Sequence, residues 1–328
     1  MKAGCVIIGR NEAARLPATF ASVQTEALPA VYVDSGSHDN SVELARSEGA
    51  KVVELDPARP FTAARARNEG LASLVHDWPD LTCVMFLDGD CRLEPRFVER
   101  AAAKMSRDDN IAVIVGHLRE ENEKHSIYTQ MCGNEWKAPT GKISDFNSFG
   151  GIMLVRIADF RAVGGFNPDM IAGEDPEFAI RLALAGRDAQ RIDAPMAVHR
   201  ADIIHFRQWW QRSVRGGHAM AHRYRLHGAS VLQDSKRQYW STIFWGGAVP
   251  ACAILLAPFT GGLSLLLMGG YVVLGLRMKA RFRRDGADAM LASRLAGFGL
   301  LAKFANFVGV VRFWLHERSG KTQLVEYK

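Results

Sequence analysis

Val84-Met85-Phe86-Leu87-Asp88-Gly89-Asp90 decides the fold of this chain: an apolar run ends in two carboxylates separated by one glycine. Such a run, without polar alternation, reads as a parallel strand covered on both faces. Open α/β sheets hold ligands just beyond the carboxyl ends of their strands. Asp88 and Asp90 are therefore expected at the mouth of a cleft, with Gly89 permitting a sharp turn between them. Paired carboxylates there suit a hard divalent cation that also touches a phosphate-bearing substrate. The same residues also suit an ordinary turn, so the neighbouring sequence has to choose.

Upstream, an apolar strand over 4–9 leads into Arg10-Asn11-Glu12 and a helical stretch to residue 23. A second strand over 30–33 ends in Asp34-Ser35-Gly36-Ser37-His38-Asp39-Asn40-Ser41. A helix over 41–49, a strand over 51–55 and a helix over 61–75 follow, up to the strand that ends at Asp88. Strands alternating with helices through short connections imply right-handed βαβ units and a mostly parallel sheet. Downstream the pattern predicts a helix over 93–105, a strand over 111–116 and an irregular polar segment over 120–143. After it come a glycine-led apolar run over 149–155, a turn at Val163-Gly164-Gly165-Phe166 and Gly173-Glu174-Asp175-Pro176-Glu177 opening a helix over 178–185. A short strand at 197–199 precedes an aromatic and basic stretch over 206–215.

The composition bounds the class. The chain has 328 residues, 48% hydrophobic and 23% charged, which excludes a disordered or fibrous protein. The net charge is +6, with the excess concentrated between Arg200 and Arg294. A basic chain meets nucleic acid, membrane surfaces or phosphorylated substrates, but no zinc-finger spacing or interleaved aromatic and basic strand supports nucleic acid. Five scattered cysteines without CxxC spacing indicate reduced thiols in the cytosol. No cleaved signal is expected at the N-terminus.

The character changes near residue 236. From Gln238 to Leu276 there is no charged residue, a run long enough for two short bilayer passes. Pro258-Phe259-Thr260-Gly261-Gly262 divides it into 239–257 and 263–276, so a tilted pass and a re-entrant hairpin are both open. The dividing turn carries no basic residue, while Lys236 and Arg237 precede the run and Arg277, Lys279, Arg281, Arg283 and Arg284 follow it. The positive-inside rule then keeps both ends in the cytoplasm, with the tip toward the far side. Residues 290–316, interrupted by Arg294, Lys303 and Arg312, read as an interfacial amphipathic helix. A buried helical subdomain is the alternative for the whole tail. The expected domains are 1–235 and 236–328.

Several strand ends gather on one rim: Arg10, Asn11 and Glu12 after the first strand, Asp34 after the second, Asp88 and Asp90 after the fourth. Arg65, Arg67 and Asn68 begin a helix nearby. Together they describe a nucleoside diphosphate site.

In these residues the chain resembles the family 2 glycosyltransferases of the GT-A fold, the inverting class that uses nucleotide sugars. The resemblance rests on Val6-Ile7-Ile8-Gly9-Arg10-Asn11-Glu12, Val33-Asp34-Ser35-Gly36-Ser37-His38-Asp39, Ala66-Arg67-Asn68-Glu69-Gly70, Asp88-Gly89-Asp90, Val163-Gly164-Gly165-Phe166 and Gly173-Glu174-Asp175, in the family's order across about 4–215. It implies that Asp34 contacts the base, that Arg10, Asn11, Glu12, Arg67, Asn68 and Glu174 lie at the nucleotide sugar, and that Asp88 lies near ribose and metal. It further implies that Asp90, with Asp88, holds Mg²⁺ or Mn²⁺ and that Asp175 is the catalytic base. The physical logic agrees, since an acceptor hydroxyl needs a carboxylate to take its proton. A departing diphosphate needs a cation to hold its charge.

One motif departs from the family. Membrane-bound members carry Gln-x-x-Arg-Trp before their first membrane helix, and here the aligned residues are Arg212-Ser213-Val214-Arg215-Gly216. Arg212 and Arg215 are still expected at the diphosphate, but a processive polymer synthase is disfavoured. The expected activity is sugar transfer to a lipid-linked or glycolipid acceptor at the cytoplasmic face of the inner membrane, in cell-envelope polysaccharide or glycolipid synthesis. A nucleotidyltransferase on a related sheet and a non-catalytic membrane scaffold are the alternatives. His117, Glu120 and Trp136 are candidates for acceptor contacts in the irregular segment.

Overall fold

The computed structural model describes residues 1–319, so the end of the expected 236–328 segment lies outside the described residues. The chain divides into two compact units, Met1–Ile204 and His205–Lys328. The division precedes the change in composition at residue 236, because the basic helix after Ile204 packs with the tail. The first unit carries 23 basic and 30 acidic residues, and the second eighteen basic and five acidic.

The first unit is built on strands β1 (Ala3–Gly9), β2 (Ala30–Asp34), β3 (Lys51–Glu54), β4 (Cys83–Asp88), β5 (Cys91–Leu93), β6 (Ile111–Glu120), β7 (Gly141–Lys142), β8 (Met153–Arg156) and β9 (Asp188–His199). They lie in the order β3-β2-β1-β4-β8-β6-β9-β5, with β7 also on β9. Its helices are α1 (Leu16–Thr25), α2 (Ser41–Ser47), α3 (Ala63–Asp77), α4 (Phe97–Met105), α5 (Ile127–Glu135), α6 (Ile157–Ala162) and α7 (Glu174–Leu184). The block β3-β2-β1-β4 is parallel throughout, as the βαβ alternation requires. Beyond β4 the sheet is mixed: β8 is antiparallel to β4 and β6, while β9 runs parallel to β6.

Register sets the working edge. Asp34 pairs with Gly9, and Asp88 pairs with Ile8, so both acids leave the sheet at one level on either side of β1. Behind them Val6, Ile7, Val33, Phe86 and Leu87 are fully buried, as strands covered on both faces require. Farther along, Cys91 and Glu120 both pair with His199, from β5 and β6.

Three elements differ from the expectation. The stretch from residue 93 splits, because Cys91 and Leu93 face the core as a strand while Arg92 faces out, and α4 starts only at Phe97. Strand β9 begins at Asp188, well before residue 197. Helix α7 starts at Glu174, with Glu174, Asp175 and Glu177 in its first turn, where the helix dipole favours acids.

The second unit is helical: α8 (Phe206–His227), α9 (Lys236–Ile243), α10 (Val249–Leu255), α11 (Gly269–Arg284) and α12 (Ala289–Ser319). A wider π-helical turn over Phe244–Ala248 joins α9 to α10, and a 3-10 stretch over Leu263–Met268 leads into α11. Helices α8 and α12 run side by side in the same direction. Trp209 meets Phe298, His218 meets Phe313 and Arg225 pairs with Glu317. Glycines make the close approach possible: a Cβ on Gly217 would lie 2.1 Å from the Asn306 carbonyl, and one on Gly309 2.1 Å from the Val214 carbonyl.

By length and composition two stretches among the described residues could cross a membrane, Leu263–Arg284 and Ala289–Ser319. These are not the two limbs expected from the uncharged run. The second limb continues into its basic flank. The helix expected to be interfacial is long and apolar on more than one face, burying Leu295, Val310 and Phe313 while Leu301, Val311 and Leu315 remain exposed.

Candidate active site

Asp34 is nearly fully buried, and its loop is wound around it. Its Oδ2 accepts from the backbone N–H groups of Gly36 and Ser37 at 2.9 and 2.8 Å. Its Oδ1 accepts from Ser37 Oγ at 2.5 Å and Tyr32 Oη at 3.2 Å. Burial, reinforced by the Asp34 charge, pushes the Tyr32 phenol well above its ordinary pKa, so it stays a donor. Gly36 has φ +77°, and a Cβ there would press on Phe61 at 2.8 Å. The other side of this corner is Arg10, whose guanidinium lies 5.8 Å from the Phe61 ring centre.

Asn11 and Glu12 stitch the β1 and β2 loops together. The Asn11 N–H donates to Ser37 Oγ, and its Oδ1 accepts from the His38 N–H, both at 2.8 Å. The Glu12 N–H donates to Ser41 Oγ at 2.9 Å, while its buried carboxylate takes a 2.6 Å bond from Arg15.

Arg67 occupies the centre. Only 3% of it is exposed, and its forked guanidinium donates through Nη1 to Glu174 Oε1 at 2.6 Å and through Nη2 to Asp88 Oδ1 at 2.8 Å. Burial by itself would depress its pKa, but Asp88, Glu174 and Asp175 together raise it, so the cation is secure. The ring of Phe166 lies beneath it, 5.6 Å away. Gly151 must be a glycine, since a Cβ would sit 2.3 Å from Nη2. The next residue along α3, Asn68, clamps the backbone of Phe166: its Nδ2 donates to the carbonyl at 2.7 Å and its Oδ1 accepts from the N–H at 3.0 Å. Asp175, half-buried beside Glu174 in the first turn of α7, completes this acid cluster.

Asp90 has different partners. Asp90, Cys91 and His199 each offer a ligand atom, all within 4.8 Å of one another. His199 Nε2 lies 3.8 Å from Asp90 Oδ2, and its Nδ1 is 2.7 Å from Glu120 Oε2. The second Glu120 oxygen accepts from the Ala201 N–H at 2.6 Å. A carboxylate behind a histidine fixes the tautomer whose Nε2 lone pair can ligate a metal. Trp136 packs edge-on against the same imidazole, with ring centres 5.8 Å apart. Carboxylate and imidazole donors fit Mn²⁺ or a similar divalent ion, and a thiolate would add preference for a softer one.

The structure thus separates the Asp88-Gly89-Asp90 pair: Asp88 is bound by Arg67 and Asp90 joins His199. His199 and Glu120 are the residues the motif reading did not assign to this group. Their signal lay in the apolar run into His199 at a strand end, but the pairing that joins them spans 79 residues. His117 reaches instead to Asp193, at 3.2 Å. Arg212 and Arg215 lie on α8, in the second unit.

Comparison with known proteins agrees with this geometry. Residues 5–163 match the glycosyl transferase family 2 model, and residues 137–208 match a model described as the N-terminal domain of galactosyltransferase. Among solved structures, a mannosyltransferase from Pyrobaculum calidifontis, in complex with GDP-Man and Mn²⁺, superposes with a TM-score of 0.60 at 16% identity, covering 94% of this chain and 87% of that one. TarS from S. aureus gives 0.52 at 15% identity, covering 98% and 92%. A TPR repeat-containing protein from Synechococcus elongatus is 32% identical over 123 residues, which is 38% of this chain and only 28% of that relative. The fold is that of a glycosyltransferase of the GT-A kind. Within that class, the match over residues 5–163 identifies that segment as a glycosyl transferase family 2 domain.

Proposed function

We propose that this enzyme transfers a sugar, with inversion, from a nucleoside diphosphate sugar to a hydroxyl of a lipid-linked or glycolipid acceptor at the cytoplasmic face of the inner membrane. Cell-envelope polysaccharide or glycolipid synthesis is the setting that this reading implies. The observation that carries it is the common edge on which Asp34, Asp88, Asp90 with His199, and Asp175 lie. Asp34, Arg10 and Phe61 line the corner suited to the base and ribose. Asp175 takes the proton of the acceptor hydroxyl as its oxygen bonds to the anomeric carbon and the bond to the diphosphate breaks. Asp90 and His199, with Asp88 nearby, would hold Mg²⁺ or Mn²⁺, which when bound offsets charge on the departing diphosphate. Arg67 holds Glu174, and with it the start of α7, against the strand that carries Asp88. GDP-Man and Mn²⁺ in the mannosyltransferase support a nucleotide sugar and a divalent ion. The uncharged run from Gln238 to Leu276 supports an acceptor at lipid.

The test is a panel of nucleotide sugars offered to the full chain in membranes with Mn²⁺ or Mg²⁺. One donor should release its nucleoside diphosphate and leave sugar in the lipid extract. Asp175→Asn should lower transfer by about 10²–10⁴-fold while donor binding persists. Release unchanged in that variant, or nucleotide carried into product, would overturn the transferase chemistry. Sugar found only in the aqueous phase would overturn the lipid acceptor alone.

A further inference from the structure

We infer that residues 254–268 dip as a hairpin into one leaflet of an anionic bilayer, while α12 stays outside the hydrocarbon against α8. This rests on the membrane-face reading above and says how that contact is made.

Both limbs end in basic residues and carry aromatic residues inward of them. Lys236 and Arg237 directly precede Tyr239 and Trp240 on one limb; on the other, Arg277, Lys279 and Arg281 lie beyond Tyr271, with the apolar residues 272–276 between. Trp245 and Tyr271 face each other across the limbs, with ring centres 5.4 Å apart. Inside this aromatic layer the tip holds only uncharged residues, and its largest side chains point away from the protein. Phe259 is 85% exposed and Leu266 75%, with Ile254, Leu255 and Leu263 alongside. Basic, then aromatic, then apolar is the order of a lipid interface: headgroup, boundary, acyl chain.

The turn also bonds most of its own amide groups and both its hydroxyls internally, as backbone in hydrocarbon favours. Thr260 Oγ1 donates to the Leu256 carbonyl at 2.9 Å and accepts from the Ser264 N–H at 3.1 Å. Ser264 Oγ donates to the Ala253 carbonyl at 2.7 Å. The N–H groups of Phe259, Thr260, Gly262 and Leu263 are bonded within the turn. A loop emerging into water needs none of this.

Length argues against a crossing. From Leu263 the 3-10 stretch and the first turns of α11, up to Arg277, rise about 24 Å, short of a hydrocarbon core of about 30 Å. Helix α12 meets the limbs at and behind their aromatic layer, where Phe304 stacks on Tyr271 with ring centres 5.6 Å apart, and from Phe298 to Glu317 it is packed along α8, which carries Arg212, Arg215, Arg223 and Arg225. A span by α12 would draw those cations into lipid with it.

The test uses the full chain with Phe259→Cys in a Cys252→Ser background, because Cys252 is exposed while the other four cysteines are buried. Vesicles are phosphatidylcholine with or without phosphatidylglycerol, and a membrane-impermeant maleimide is added outside or trapped inside. With anionic vesicles, labelling from outside should slow by about tenfold or more, as when under a tenth of the protein stays unbound, and the trapped reagent should not react. Leu266→Asp should restore fast labelling, and its unchanged helical circular dichroism would exclude misfolding. Asp175→Asn should insert like the parent, so a failed transferase assay and a failed insertion remain distinct. Labelling by the trapped reagent would overturn the proposal in favour of a crossing. An unchanged rate would exclude lipid, and protection that grows with protein concentration without vesicles would assign the tip to a second copy.

Discussion

Arg67 ties two acids from distant parts of the chain to one side chain. Its guanidinium is spent on Glu174 and Asp88, so it acts on this edge through those acids. Removing a partner from a buried ion pair costs about 3–5 kcal/mol. Arg67→Met is therefore expected to unfold at markedly lower denaturant, and Arg67→Lys to recover only part of the loss, since an ammonium cannot form the fork. Chemical denaturation of both variants checks this. At the cation group the test residue is Glu120, whose hydrogen bond orients His199. Glu120→Gln should weaken Mn²⁺ binding by about 10–100-fold, read by titration of the free ion's paramagnetic signal. Asp34, Asp88 and Asp90 were legible in the sequence because each follows an apolar strand, and Glu174 and Asp175 because they open a helix after Gly173. The roles of Arg67 and His199 were not, because burial and partner choice depend on contacts 107 and 79 residues away.

Among the elements, the parallel block could be read directly, since fully buried strands leave unbroken apolar runs. Strand β9 could not: polar Asp188, Gln190 and Arg191 interrupt it, and its place is set by pairing with β6 and β7. Glycine marks the α8–α12 crossing, but nothing local in either helix names its partner. At this crossing His218 is buried beside His316, with His222 and Arg215 also acting on it. Burial first, then those cations, push its pKa down to about 4. The folded state thus holds this imidazole neutral while the unfolded chain protonates it near 6.5. Stability is complete above that value and declines as pH falls toward 4, by about 3 kcal/mol from this group. Thermal unfolding at pH 7.5 and 5 should show the decline, and His218→Phe should flatten it.

For the whole molecule the division of charge matters most. The helical unit has eighteen basic residues to five acidic, and the sheet unit 23 to 30. Vesicle association should accordingly weaken as salt rises from 0.05 to 0.5 M on the order of tenfold or more, as screening shortens to a few ångströms; flotation of the full chain measures it. A nucleotide sugar is itself an anion; the chain's net charge of +6 resides in the helical unit, so the excess of acid on the sheet unit opposes such a donor only locally. Under the proposed function, capture then acts at touching distance, through a few well-placed cations and a divalent ion. The same local repulsion would help the spent carrier to depart.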